Sequence, residues 1–185
     1  MTSPSSEPTI SQIFSLRGKV ALLTGGCGHL GSAMARGLAE AGASVVLTSR
    51  DEGKAQEAAA LLPRAEGTTH HGLALDHMQP ETLPATFEKA ASLAGRIDVL
   101  VNNGHEALGK DWTDVTAEEF ARHLANAAGY FELARLVHSH AVERKSAASI
   151  IQIGSMYGVV GSYPEAYEGV VAASPVAYHT LKGGI

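Results

Sequence analysis

The apolar run Lys19–Leu23 (KVALL) leads directly into TGGCGHLG, Thr24–Gly31, and that segment into a helical stretch, Leu30–Ala41. A strand, four glycines in eight residues and a helix leave little freedom: the backbone turns sharply and comes close to something. A helix N-terminus at that point offers unpaired N–H groups and a partial positive charge, both suited to a pyrophosphate. The plain alternative is a tight turn between strand and helix. Three registers fit the glycines. Gly26, Gly28 and Gly31 match G-x-G-x-x-G, and Gly25, Gly28 and Gly31 match G-x-x-G-x-x-G. A third, G-x-x-x-G-x-G, uses Gly25 and Gly31 but meets His29 where its middle glycine belongs.

The same unit recurs along the chain. Ser44–Thr48 reads as a second strand and Gly53–Leu62 as a helix stopped by Pro63. Gly72–Leu75 is a weak third strand. Pro80–Ala94 is a helix that Pro84 kinks or delays, and Ile97–Val101 is a clear fourth strand. Thr116–Glu119 (TAEE) is a capping box that opens a long helix with Phe120, Leu124, Phe131 and Val137 as its apolar stripe. Ser149–Ile153 is the fifth strand. Ser174 and Pro175 read as N-cap and first residue of a last helix, which carries Tyr178 and Lys182. The fold class is therefore α/β: a Rossmann-type doubly wound parallel sheet in three α/β/α layers. Such sheets bind ligands beyond the carboxyl ends of their strands, which selects residues 24–31, 48–52, 76–79, 102–108 and 154–158.

The 185 residues suit one domain, residues 16–185, behind a Ser- and Pro-rich arm, residues 1–15. A net charge of −5 gives no reason to expect nucleic acid or a membrane surface as partner. No apolar run approaches the roughly 18 residues of a membrane span. Cys27 is the single cysteine, which fits a reducing cytoplasm and excludes an intrachain disulfide. His70, His71 and His77 flank the third strand without metal-ligand spacing, so no metal is expected.

Chemistry gathers at two strand ends and one helix. In NAD-binding Rossmann units an acidic residue at the end of the second strand holds the ribose 2′-hydroxyl. Here Ser49 stands at about that place and Arg50 follows, and a guanidinium suits a 2′-phosphate. This favours NADP over NAD, with Asp51 as the acidic alternative. Tyr178 and Lys182 are spaced i, i+4, on one helical face. A tyrosine is a poor acid–base catalyst at neutral pH, and a nearby ammonium favours its phenolate.

Taken together, these motifs resemble the short-chain dehydrogenase/reductase family from about Leu16 to the last residue. TGGCGHLG is similar to the family's cofactor turn, with Gly25, Gly28, His29, Leu30 and Gly31 at the cofactor. Asp76 in ALDHM resembles the aspartate placed near the adenine. Val101–Gly104 (VNNG) is similar to Asn-Asn-Ala-Gly, with Asn102 and Gly104 at cofactor positions, although Asn102 also reads as a tie between strands. Asn126, Ser155, Tyr178 and Lys182 resemble the catalytic tetrad. The resemblance implies hydride transfer between NADP (or NAD) and a small carbonyl or alcohol substrate. Tyr178 would be the general acid/base, and Lys182 would tune it and hold the nicotinamide ribose. Ser155 would bond the substrate oxygen, and Asn126 would hold a water of the proton relay. It also implies a homo-oligomer.

Four departures qualify the resemblance. His29 interrupts the expected glycine register, leaving Gly28 to supply the lost flexibility. The interval from Ser155 to Tyr178 is long; it brings Tyr157, Tyr163 and Tyr167 towards the site, as a substrate wall or a surface excursion, and offers Ser162 as a rival serine. His105 replaces a glycine near the nicotinamide side. Finally, the chain stops three residues after Lys182, inside the catalytic helix. A fragment, or a domain completed by another chain, is expected, with an uncovered fifth strand and little turnover alone. Two further readings stand beside the first. One is an NAD-dependent sugar-nucleotide epimerase or dehydratase; the other is a non-catalytic remnant that binds cofactor or partner.

Overall fold

The structure is a computed structural model and describes residues 7–185. Of the arm expected over residues 1–15, residues 1–6 lie outside the described residues. The rest carries a one-turn helix, α1 (Ile10–Ile13), closed by a Thr9/Gln12 capping box. The chain then alternates β1 (Val20–Leu23), α2 (His29–Glu40), β2 (Ser44–Ser49), α3 (Glu52–Ala60) and β3 (His71–Ala74). It continues through α4 (Leu83–Ala94), β4 (Val99–Asn102), α5 (Ala117–Glu143), β5 (Ser149–Gln152) and α6 (Val176–Gly184).

All strand pairs are parallel, in the order β3-β2-β1-β4-β5. The chain winds outward from β1 to β3, then crosses back to β4 on the other side of β1. The strand order reverses there, which makes the crevice at the carboxyl ends of β1 and β4 the ligand position. The period of two sends alternate side chains to opposite faces. Val20, Leu22 and Leu100 pack with Leu83, Phe87, Leu133 and Val137 under α4 and α5. Ala21, Leu23, Val99 and Val101 pack with Ala35, Ala39, Ala55 and Ala59 under α2 and α3. Each fully buried leucine contributes about 2 kcal/mol. At the opposite end of the sheet the buried Asp98 carboxylate accepts from Val20 N (3.0 Å), Arg96 Nε (2.9 Å) and Arg144 Nη2 (3.0 Å), pinning β1, β4 and the end of α5 together.

One open alternative is settled and two expectations change. Pro84 moves the helix start: a 3₁₀ turn spans Pro80–Thr82, and α4 begins at Leu83 with the proline in its first turn, where no N–H bond is lost. The buried stripe of α5 is His123, Asn126, Tyr130, Leu133, Val137 and Ala141, while Phe131, one position off that face, is turned to solvent. Pro175 occupies the N-cap of α6 and Val176 is its first residue; Asp111 Oδ1, not Ser174, accepts from Val176 N at 3.1 Å. β5 lies at the sheet edge, with Ile150 and Ile151 partly exposed. Among the described residues no helix is long and apolar enough to cross a membrane.

Candidate active site

The carboxyl ends of β1 to β4 open into one cleft of about 400 Å³. Gly25, Gly28, His29, Leu30 and Gly31 line it from the first turn, Ser49 and Arg50 from the end of β2, Asp76 from beyond β3, and Gly104 from beyond β4. Two glycines make the cradle. Gly25 has φ +63°, and a Cβ on it would lie 2.7 Å from Gly104 Cα. A Cβ on Gly31 would overlap the Gly25 carbonyl oxygen and lie 2.9 Å from Gly26 Cα. Gly28 has an ordinary extended backbone (φ −75°, ψ 168°), and its nearest neighbour would be 3.4 Å from a Cβ. The flexibility expected of Gly28 is therefore not required, and the register that matters is the one through Gly25 and Gly31.

Gly28 is the N-cap of α2, no side chain caps the helix, and His29, Leu30 and Gly31 form its first turn. The unpaired N–H groups of that turn border the cleft beside the glycine cradle. This donor set and shape fit a dinucleotide pyrophosphate. The cradle is stitched to β4. Thr24 Oγ1 accepts from Asn103 N (2.9 Å) and Gly104 N (2.8 Å), and Asn103 Nδ2 donates to Thr24 O (3.0 Å) and Gly25 O (3.1 Å).

The carboxylates near the cleft have separate tasks. Asp51 Oδ1 accepts from Lys54 N at 3.0 Å and caps α3, so Ser49 and Arg50 are what β2 offers to the cleft. Asp76 borders the cleft, while its oxygens accept from Met78 N and Gln79 Nε2, each at 3.0 Å. The three histidines around β3 also part company. His70 sits between Val45 N and Pro63 O, His71 lies in β3, and His77 faces the cleft.

Asn102 does not belong with the cofactor residues. It is fully buried, and its Nδ2 donates to Tyr130 O (3.0 Å) and Gln152 Oε1 (2.9 Å). The register of β4 on β5 pairs Asn102 with Gln152, so the side chain ties the strands and α5 together.

Beyond the cleft stand Tyr178 and Lys182 of α6, which do not line it. Lys182 is buried, and its ammonium donates to Ile153 O. Nζ lies 5.8 Å from the ring centroids of both Tyr178 and Tyr130. Desolvation pushes Lys182 below the usual lysine value, and burial pushes the neighbouring Tyr130 up to about 12. The 3₁₀ turn Met156–Gly158 lies against α6, where a Cβ on Gly158 would stand 2.5 Å from Lys182 O. Ser155 caps this turn, its Oγ accepting from Tyr157 N at 3.2 Å, and keeps its hydroxyl proton to donate. The rival Ser162 is engaged: its Oγ meets His179 Nε2 at 3.0 Å and donates to Ser174 O at 3.4 Å. Of the tyrosines between Ser155 and Tyr178, Tyr157 packs on His179 with ring centroids 4.9 Å apart, and Tyr163 is exposed.

His105 joins the two parts. It lines the cleft, and its ring meets Tyr178 edge-on at 5.4 Å and the buried His123 at 5.2 Å. Desolvation, reinforced by the charges of His123, Lys182 and His77, pushes His105 down to about 4, so its ring is neutral at physiological pH. Both ring nitrogens of His123 are buried without a partner among the described residues.

Asn126 is placed at the site, with its side-chain amide fully engaged by protein. Its Oδ1 accepts from Glu106 N (2.8 Å) and from His77 Nε2 (2.8 Å), and its Nδ2 donates to His123 O (2.7 Å) and Glu106 O (3.2 Å). All four hydrogen-bond positions of the amide are filled by protein, so the side chain clamps the loop after β4. Since Oδ1 only accepts, His77 carries its proton on Nε2. Asn103, His77 and Glu106 line the cleft without having been singled out for it from the sequence. Their positions at the ends of β3 and β4 were the available signal.

Comparison with known proteins agrees with this geometry. The family profile described as short chain dehydrogenase matches residues 19–174. The chain is 30% identical over 171 residues to 3-oxoacyl-(acyl-carrier-protein) reductase FabG of Vibrio cholerae, covering 88% of this chain and 65% of that protein. It is 31% identical over 146 residues to L-fucose dehydrogenase of Bos taurus, covering 78% of this chain and 52% of the relative. Among solved structures, that of gox2181 superimposes with a TM-score of 0.80 at 28% identity, covering 92% of this chain and 63% of the other. A putative short-chain alcohol dehydrogenase from Sinorhizobium meliloti 1021 gives 0.79 at 28% identity, with 93% and 64% covered. The chain thus spans about two thirds or less of the length of these relatives.

Proposed function

The chain belongs to the short-chain dehydrogenase family, and from that premise we propose that it acts as an NAD(P)-dependent oxidoreductase on a small carbonyl or alcohol substrate. One observation carries the reading. A tyrosine and a buried lysine, one helical turn apart, stand next to a cleft that begins at an uncapped helix N-terminus. A nicotinamide cofactor, when bound, supplies or accepts the hydride. The residues do the rest. Gly25 and Gly31 admit the pyrophosphate, and the first turn of α2 binds it. In reduction Tyr178 donates its hydroxyl proton to the substrate oxygen as that oxygen gains charge, and in oxidation it takes the proton back. Lys182, fixed by Ile153 O, sets its ammonium 5.8 Å from the Tyr178 ring and holds the nicotinamide ribose. Ser155 donates a hydrogen bond to the same substrate oxygen. Asn126 positions the loop that carries His105 and Glu106.

Arg50 in the cleft, with Asp51 turned to capping, favours NADP. A cytoplasmic homo-oligomer completes the proposal; α5 presents Phe131 and Val142 outward, apolar surface that a second copy can cover. The test is NADPH oxidation with a panel of carbonyls. The expected result is turnover with at least one carbonyl, and a loss of about 10²–10⁴-fold in Tyr178→Phe with NADP binding kept. Unchanged turnover in Tyr178→Phe would sink the mechanism, and cofactor binding without oxidation in the unmodified chain would favour a non-catalytic binding role.

A further inference from the structure

Glu106 is the carboxylate in the cleft that neither caps a helix nor holds its own turn. Its backbone is gripped on both sides by the Asn126 amide, through N (2.8 Å) and O (3.2 Å). Its side chain is about three quarters buried and reaches two guanidiniums: Oε1 accepts from Arg122 Nε at 2.8 Å, and Oε2 lies 3.6 Å from Arg50 Nη1. In the sheet β1 lies between β2 and β4. A pair joining Arg50, after β2, to Glu106, after β4, therefore spans the cleft across the end of β1. The Arg50 side chain is 70% exposed, so this pair is weak and displaceable. Arg122, whose Nε donates at 2.8 Å, stays on the carboxylate when Arg50 leaves, and the Asn126 clamp keeps the Glu106 backbone in place.

We propose that Glu106 sets cofactor selectivity, competing with a 2′-phosphate for Arg50 and so restraining the preference for NADP over NAD. The inference rests on the cofactor-binding reading above. A 2′-phosphate carries close to two negative charges at neutral pH. To reach Arg50 it must displace Glu106 or share the guanidinium with it, and the fixed carboxylate repels it in either case. A free ribose 2′-hydroxyl meets no such repulsion. Arg50 alone would make the cleft strongly NADP-selective, and Glu106 moderates that.

The test is calorimetric titration of the 185-residue chain at low salt with NADP, NAD, adenosine 2′,5′-bisphosphate and AMP. Glu106→Gln keeps size and the Arg122 contact but removes the charge. It is expected to tighten NADP and the bisphosphate about three- to tenfold and to leave NAD and AMP within about twofold. The gain is expected to vanish on an Arg50→Met background. Glu106→Ala, which keeps the backbone clamp, is expected to give the same order if the amide disturbs Arg122. Equal tightening of NAD, an unchanged NADP/NAD ratio, or a gain that persists without Arg50 would overturn the inference while leaving the cofactor reading intact. An unmodified chain that binds none of the four ligands would overturn both.

Discussion

Three glycines around α2 should respond differently to the same added methyl group. In Gly31→Ala the new Cβ would overlap the Gly25 carbonyl oxygen and crowd Gly26 Cα (2.9 Å) and Asn103 Nδ2 (3.0 Å). Two of these are backbone atoms, so the helix itself must retreat. Overpacking of this kind costs about 1–3 kcal/mol, and the better helix propensity of alanine returns roughly 0.5–1 kcal/mol. The net expectation is a loss of about 1–2 kcal/mol. Retreat of α2 also pulls its first-turn N–H groups from the cradle, so NADP affinity should fall at least about tenfold. Gly37, exposed in the same helix with nothing within 4 Å of a Cβ, supplies the propensity term alone. Gly37→Ala should gain roughly 0.5–1 kcal/mol with NADP affinity unchanged. At Gly28 the backbone is extended and the nearest atom is 3.4 Å away, so Gly28→Ala should cost only the N-cap preference for glycine over alanine, about 0.5–1 kcal/mol, with no steric term. Urea unfolding at neutral pH and calorimetric NADP titration measure both quantities. If Gly31→Ala and Gly37→Ala shifted stability in the same direction, the close approach of α2 to Gly25 would be wrong as the reason for that glycine.

Two predictions concern pH. Burial pushes Asp98 up, but hydrogen bonds from Arg96 and Val20 N, with the charges of Arg96 and Arg144, hold it below the usual carboxylate range. A folded value below the unfolded one near 4 means stability that is complete above about pH 4 and lost as pH falls through the folded value. Asp98→Asn should cost about 1–3 kcal/mol at neutral pH and flatten the acid limb of urea-melt stability; a mutant curve parallel to the original would refute this. For His105, burial and neighbouring charge put the folded value at about 4, below the unfolded value of about 6.5. Its neutral ring supports the fold fully above about pH 6.5, and that support is lost as pH falls towards the folded value. NMR titration of the imidazole should show no protonation near pH 6.5, and an ordinary histidine titration there would contradict the packing of His105 between His123 and Tyr178.

Much of this was legible in the sequence because it depends on local chemistry. Short apolar runs between helical stretches gave the five strands. The Thr116/Glu119 capping box forms as expected, with Thr116 Oγ1 accepting from Glu119 N at 3.2 Å. Strand ends pointed to five segments, four of which line the cleft while the fifth adjoins it, since the carboxyl end of a parallel strand has one place to lead. What stayed hidden depended on partners far along the chain. Asn102 already reads as a tie between strands, but its partners, Gln152 and Tyr130, emerge only when β5 is set beside β4 and α5 is packed on the sheet. The clamp that the Asn126 amide makes appears only when the loop after β4 folds back onto α5. The outward turn of Phe131 follows from which face of α5 meets the sheet, which apolar spacing alone left ambiguous by one residue. Glu106 carries no local signal, because its meaning comes from Arg50 and Arg122 in other elements.

The stitch between Thr24 and the Asn103-Gly104 pair joins residues about 80 positions apart. Closing a loop of that length costs about 4 kcal/mol of chain entropy before any contact rewards it. The cradle is therefore complete only once β1 and β4 pair and close the sheet. Gly25 and the first turn of α2 can form early within the β1-α2-β2 unit, yet the wall that Gly104 gives them arrives only when the chain returns. A ligand that bridges the cleft then stabilises the whole crossover and not one half of it, by an amount set by its concentration relative to Kd. Binding thus acts as a lock on the topology, placed at the one seam where two halves of the sheet, remote in sequence, are held side by side.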